Sequence, residues 1–177
     1  MIKEKLTGER HDILQKICDE MNEELFAAKL YEEEGDNKLE ILRILFDDIG
    51  FDNEDGVVGE FLFLPLVSEE DEVQYFTAAM TIADVIPQEN LSKLYEAIAV
   101  LNFYSPCGAF SIDKNKQVLA YKMTNPIPIA LTGDALYEQV NVSMGNAVAI
   151  TDQYCDLILR VNAGELEVED MLEEIGV

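Results

Sequence analysis

The sequence predicts an α+β fold: a mainly antiparallel five-stranded sheet with helices packed on one face. Two observations carry most of this expectation. Across Asn90–Lys122 an amphipathic helix runs directly into a β-hairpin, with a strand pair upstream and a long apolar helix downstream. In Val73–Ala83, Phe76, Ala78, Met80 and Ile82 alternate with Tyr75, Thr77 and Thr81, the period of two that marks a strand. The element order is helix, three strands, helix, two strands and a long helix, followed by an extra terminal helix. A chain of 177 residues suits a single domain that buries about 70% of the surface its unfolded form exposes.

The first helix is placed over Glu9–Glu33, within an N-terminal segment 1–35. Ile13, Ile17, Met21, Leu25 and Ala28 recur at spacings of four and three, widened by Leu14 and Cys18. Gly35 follows three glutamates and stops it. The core, 39–163, opens with Leu39–Phe46. This run is too apolar on both faces for clean alternation, and its length between turn signals makes it a buried strand. Asp52–Gly56 reads as a turn. Glu60–Val67 and Val73–Ala83 are strands joined by the acidic turn SEEDE, and Pro65 places the first at an edge or a bulge.

Pro87 precedes the second helix and Asn90 is positioned to cap it. Leu91, Leu94, Ile98 and Leu101 form its apolar stripe, and Pro106 and Gly108 end it. The hairpin pairs Ala109–Ile112 with Val118–Met123 around DKNK; alternation puts Phe110 and Ile112 on one face, with Leu119 and Tyr121 as cross-strand neighbours. Asn125–Pro128 breaks the strand. The third helix starts near Asp134 and carries a near-heptad stripe from Leu136 to Val161, with a second apolar surface through Val148, Ile150, Leu157 and Leu159. Gly164 stops it, and a terminal helix lies within 165–177.

Charge narrows the functional classes. Thirty-six acidic residues against twelve basic ones give −24, and after Lys122 the only basic side chain is Arg160. Phosphate backbones require clustered Lys and Arg, so nucleic acid is excluded, and anionic membrane surfaces are disfavoured for the same reason. The acidity serves solubility or complements a basic partner. Cys18, Cys107 and Cys155 are odd in number and include no CxxC pair, which fits a reducing compartment. MIKEKLTGERHD lacks the apolar core of a secretory signal. A cytoplasmic location is the expectation.

No catalytic set, cofactor motif or metal-ligand set emerges. His11 is the lone histidine and reads as a solvated helix residue. Cys107 has no nearby histidine in sequence and reads as structural. A calcium loop around Gly56 fails, because position one is Phe51 and position twelve is Leu62. The surplus apolar surface on Glu60–Val67 and the third helix calls for a second covering partner. Phe61, Phe63, Leu66, Val148, Ile150 and Leu157 are therefore the expected partner-binding residues, and a two-fold dimer is one way to cover them.

A helix ending in Leu101–Asn102, then Gly108-Ala-Phe110-Ser-Ile-Asp113, then Val118-Leu-Ala-Tyr121-Lys resembles a block of the type III secretion chaperone-like fold. The similarity is to its bacterial YbjN-type branch and covers about Leu39–Val161. It implies a non-catalytic protein-binding module that takes a basic or amphipathic protein partner on apolar patches, and it implies homodimers. The competing expectations are a structural self-assembly protein and a small-ligand or enzymatic domain built on carboxylates and tyrosines.

Overall fold

The computed structural model describes residues 2–32, 39–50, 56–65, 72–115 and 117–176. Its elements are α1 (Ile2–Glu23), β1 (Ala27–Glu32), β2 (Glu40–Phe46), β3 (Val57–Phe63), β4 (Val73–Ala83), α2 (Leu91–Tyr104), β5 (Ala109–Asp113), β6 (Val118–Pro128), α3 (Gly133–Ala163) and α4 (Val168–Glu174). The fold is α+β, with an open sheet of six strands in the order β1-β2-β3-β4-β6-β5. The expectation of five strands is corrected to six by β1, which pairs antiparallel with β2 so that Lys29 faces Arg43 and Tyr31 faces Ile41.

That strand lies where the sequence placed the last turns of a helix. Helix α1 ends at Glu23, and Leu25 takes a left-handed backbone with φ 72. Its N–H bonds to the Asn22 carbonyl, and the Phe26 N–H reaches back to Met21. This is the pattern of a helix terminated by a left-handed residue, a place usually held by glycine. The segment AAKLYE has strong helix formers, so local propensity favours helix while pairing with β2 decides for strand. Leu25 is 93% exposed rather than part of an apolar stripe.

Two further boundaries differ. Strand β3 covers Val57–Phe63 rather than Glu60–Val67, so Pro65 falls beyond its end. Strand β6 continues through Asn125–Pro128, where a break was expected. Its register with β5 stops at Lys122, so the later residues have no β5 partner on that side and tolerate Pro126 and Pro128. The hairpin register pairs Phe110 with Tyr121 and Ile112 with Leu119, which assigns partners among the cross-strand neighbours that alternation named. Residues 68–71 of the SEEDE turn, the loop 51–55, Gly35 and Leu66 lie outside the described residues.

The residues group into two compact units. The first comprises Met1–Phe46, Val58–Ala79 and Thr124–Asn146. Its interior is built on aromatic contacts, Phe26–Phe46 at 5.7 Å, Phe46–Phe61 at 6.4 Å and Phe63–Phe76 at 5.1 Å between ring centroids. Gly59 makes room for them, since a Cβ there would lie 2.7 Å from the Phe61 ring and 2.9 Å from Phe46. Helix α1 packs against β1 and β2.

The second unit comprises Asp47–Val57, Met80–Met123 and Ala147–Val177. Phe110 sits 5.1 Å from the Tyr121 ring and 6.0 Å from Tyr154. Asn90 does not cap α2 with its side chain. Its Nδ2 instead donates to the Asn162 carbonyl at 2.9 Å, while Asn162 Nδ2 donates to the Val85 carbonyl at 3.1 Å. Gly164, with φ 77, ends α3 against the Asn90 amide, where a Cβ would approach to 2.9 Å. Among the described residues no helix is long and apolar enough to cross a membrane.

Candidate functional site

The strands of the first unit have one buried side and one side turned outward. In β2, Leu42, Ile44 and Phe46 are buried while Arg43 and Leu45 are exposed and Ile41 is half-buried. In β3, Phe61 and Phe63 are buried and Val58, Glu60 and Leu62 are intermediate. The outward set continues with Tyr31 on β1 and with Tyr75 on β4, which is 47% exposed. The result is an open sheet face with Tyr31, Ile41, Leu45, Val58, Leu62 and Tyr75 as its apolar and aromatic body.

Charge on this face differs from the rest of the chain. The charged residues at the outward positions of 27–31, 41–45, 58–62 and 73–79 are Lys29, Arg43 and Glu60. The Arg43 guanidinium donates to the Glu60 carboxylate, from Nη2 at 2.5 Å and Nε at 3.1 Å. That hydrogen bond, more than any other contact, holds the Arg43 pKa above its ordinary value. Arg43 also lies 5.1 Å from the Tyr31 ring centroid and Lys29 4.8 Å from it. Two cations and one carboxylate make this surface nearly neutral in a protein of charge −24. It offers apolar area, aromatic rings and a braced ion pair, the composition of a protein-contact surface.

A second feature of the same unit is an open cleft of about 510 Å³ between the first half of α1 and the start of α3, lined by Glu9, Asp12, Lys16, Asp134 and Tyr137 among others. Its polar groups are largely engaged with one another. Glu9 accepts the Gly133 N–H at 2.7 Å, the Lys16 ammonium lies 3.6 Å from the Tyr137 ring centroid, and the Tyr137 hydroxyl donates to Glu20. The Glu20 bond raises the Tyr137 pKa. Among the described residues no group of three or more His, Cys, Asp or Glu side chains is placed to hold a metal ion.

The expected site residues are not brought together on a surface. Phe61, Phe63 and Ile150 are buried in the core, Val148 and Leu157 are half-buried, and Leu66 lies outside the described residues. Alternation explains the burial of the first two: Phe61 and Phe63 share the side of β3 that faces the interior, so the outward residues are their neighbours Glu60 and Leu62. The signal for the open face stood in LEILRILF, apolar on both sides. A strand covered on one side leaves the second apolar side for solvent or a partner.

His11 and Cys107 are both engaged. His11 Nδ1 lies 2.6 Å from Glu40 Oε1. The Cys107 carbonyl accepts hydrogen bonds from the Tyr121 hydroxyl at 2.5 Å and from the Ser105 hydroxyl at 2.7 Å, with the Cys107 thiol 3.8 Å from the same phenol oxygen. Burial, with the Cys107 contact, raises the Tyr121 pKa.

No family model matches the chain, and no curated protein matches it. Among solved structures it is similar to an uncharacterized protein from Methanothermobacter thermautotrophicus, at 15% identity and a TM-score of 0.46, over 85% of this chain and 99% of that one.

Proposed function

We propose that this chain is a non-catalytic protein-binding module whose contact surface is the outward face of β1, β2, β3 and the first part of β4. The observation that carries the reading is the open, nearly neutral face built on Tyr31, Ile41, Leu45, Leu62 and Tyr75. An amphipathic segment fits it best. The apolar side of such a segment lies against the strands, and its basic side turns toward the acidic remainder of the molecule. The similarity of Leu101–Asn102 and Gly108–Asp113 to the type III secretion chaperone-like block supports the same class of role.

The charge distribution also favours a second occupant, another copy of the chain. Two molecules of charge −24 repel each other, and that repulsion is reduced where Lys29 and Arg43 offset Glu60. The test is affinity capture with the wild type, a Leu45→Asp/Tyr75→Asp variant and a Phe103→Asp control, since Phe103 is 81% exposed in the other unit. A stoichiometric partner held by the wild type and the control but lost from the face variant is the expected result. Retention of that partner by the face variant contradicts the assignment.

A further inference from the structure

On each edge strand of the sheet, β1 and β5, one residue is held by an asparagine carboxamide. An edge strand leaves the N–H and C=O of alternate residues free to template another strand. At β5, the Phe110 N–H donates to Asn102 Oδ1 at 2.7 Å, and Asn102 Nδ2 donates to the Phe110 carbonyl at 3.0 Å. One carboxamide thus makes both hydrogen bonds that an added strand would make to that residue. At β1, the Ala28 N–H is shared between the Phe26 carbonyl at 3.1 Å and Asn22 Oδ1 at 3.3 Å, and Asn22 Nδ2 donates to the Ala28 carbonyl at 3.0 Å.

The likeness extends beyond the pair of bonds. Asn22 and Asn102 each stand in the last turn of the helix that precedes the strand, since α1 ends at Glu23 and α2 at Tyr104. Between each helix and its strand lies a left-handed residue, Leu25 with φ 72 two residues past α1 and Gly108 with φ 66 four residues past α2. Each edge strand then pairs antiparallel with the next strand in the chain. So α1–β1–β2 and α2–β5–β6 are two versions of one unit: helix, asparagine brace, left-handed residue, edge strand, return strand.

We infer that Asn22 and Asn102 are matched edge guards, each occupying within the chain the main-chain site that a β-strand of a second copy would take. Strand addition between copies is blocked while the guards are in place, and self-association through the edge requires their withdrawal. This inference is independent of the function proposed above, because it concerns the edges and not the face.

The test is Asn102→Ala, followed by amide hydrogen exchange at Phe110 and by light scattering. Exchange at Phe110 should quicken by about tenfold or more, as expected for a lost pair of hydrogen bonds, and the mass in solution should rise above that of the wild type. Adding Ser111→Lys, a charge on the exposed edge, should return the mass to the wild-type value without restoring protection at Phe110. Asn102→Asp keeps an acceptor for the Phe110 N–H and loses the donor to its carbonyl, so it serves as the test where the alanine variant does not fold; it should also raise the mass. A folded guard variant with quickened exchange and an unchanged mass overturns the inference. Unchanged protection at Phe110 overturns it as well.

Discussion

Leu25 and Gly108 both take a left-handed backbone between a helix and an edge strand, and their different side chains give opposite expectations. Leu25 is exposed and left-handed, a conformation in which a Cβ is unfavourable. Leu25→Gly should stabilise the protein by about 0.5–1 kcal/mol, the gain in the folded state being offset in part by the freer unfolded chain. Chemical denaturation should show a higher midpoint at unchanged slope. Gly108 has no such freedom: a Cβ would lie 2.2 Å from the Tyr121 oxygen and 2.8 Å from the Lys122 carbonyl oxygen. Gly108→Ala should cost about 2–4 kcal/mol, from backbone strain and overpacking together, read as a lower midpoint in the same experiment.

At the scale of elements, the β5–β6 hairpin makes stability sensitive to alkali. Tyr121 is fully buried and its pKa is raised, first by burial and then by the Cys107 contact. A folded-state pKa above the unfolded value means the stabilisation is complete below the unfolded pKa, about 10 for tyrosine. It is lost progressively as pH rises from there toward the folded value. The slope for one such group is at most about 1.4 kcal/mol per pH unit. Tyr121→Phe should be less stable near neutral pH, having lost the bond to the Cys107 carbonyl, yet should show a shallower decline in denaturation midpoint above pH 10. Tyr137 is raised too, so part of the slope remains in that variant.

Elements whose pattern was strong were legible in the sequence. The alternation in Val73–Ala83 and the placing of Leu119 and Tyr121 across from Phe110 and Ile112 followed directly from side-chain periodicity, while the pairing itself is set by the register of the folded hairpin. The α3 stripe ran as expected from Leu136 to Val161 and ended at Gly164. Strand β1 was not legible, because Ala27, Ala28, Lys29 and Leu30 extend a helical spacing and only pairing with β2 makes them a strand. Its termination signal was masked as well, a leucine standing where a glycine would have announced the stop. The asparagine braces leave little trace in sequence beyond Met21–Asn22 and Leu101–Asn102, two apolar–Asn pairs at helix ends.

Across the whole molecule, charge and exposure together define how partners approach. If the proposed protein-binding role holds, a net charge of −24 attracts a basic partner from a distance, and association with it should slow as salt rises. Binding measured by stopped flow at low and high ionic strength checks this, and a rate that does not change assigns the acidity to solubility alone. Once docked, the partner's affinity should depend on the apolar face rather than on the charge. The most direct test is a hydrogen-exchange footprint of the chain with and without its captured partner. The account predicts new protection confined to 29–31, 41–45, 58–62 and 73–79, with 91–104 unchanged. Protection on α2 around Tyr95, Phe103 and Tyr104, with none on the sheet face, would contradict it.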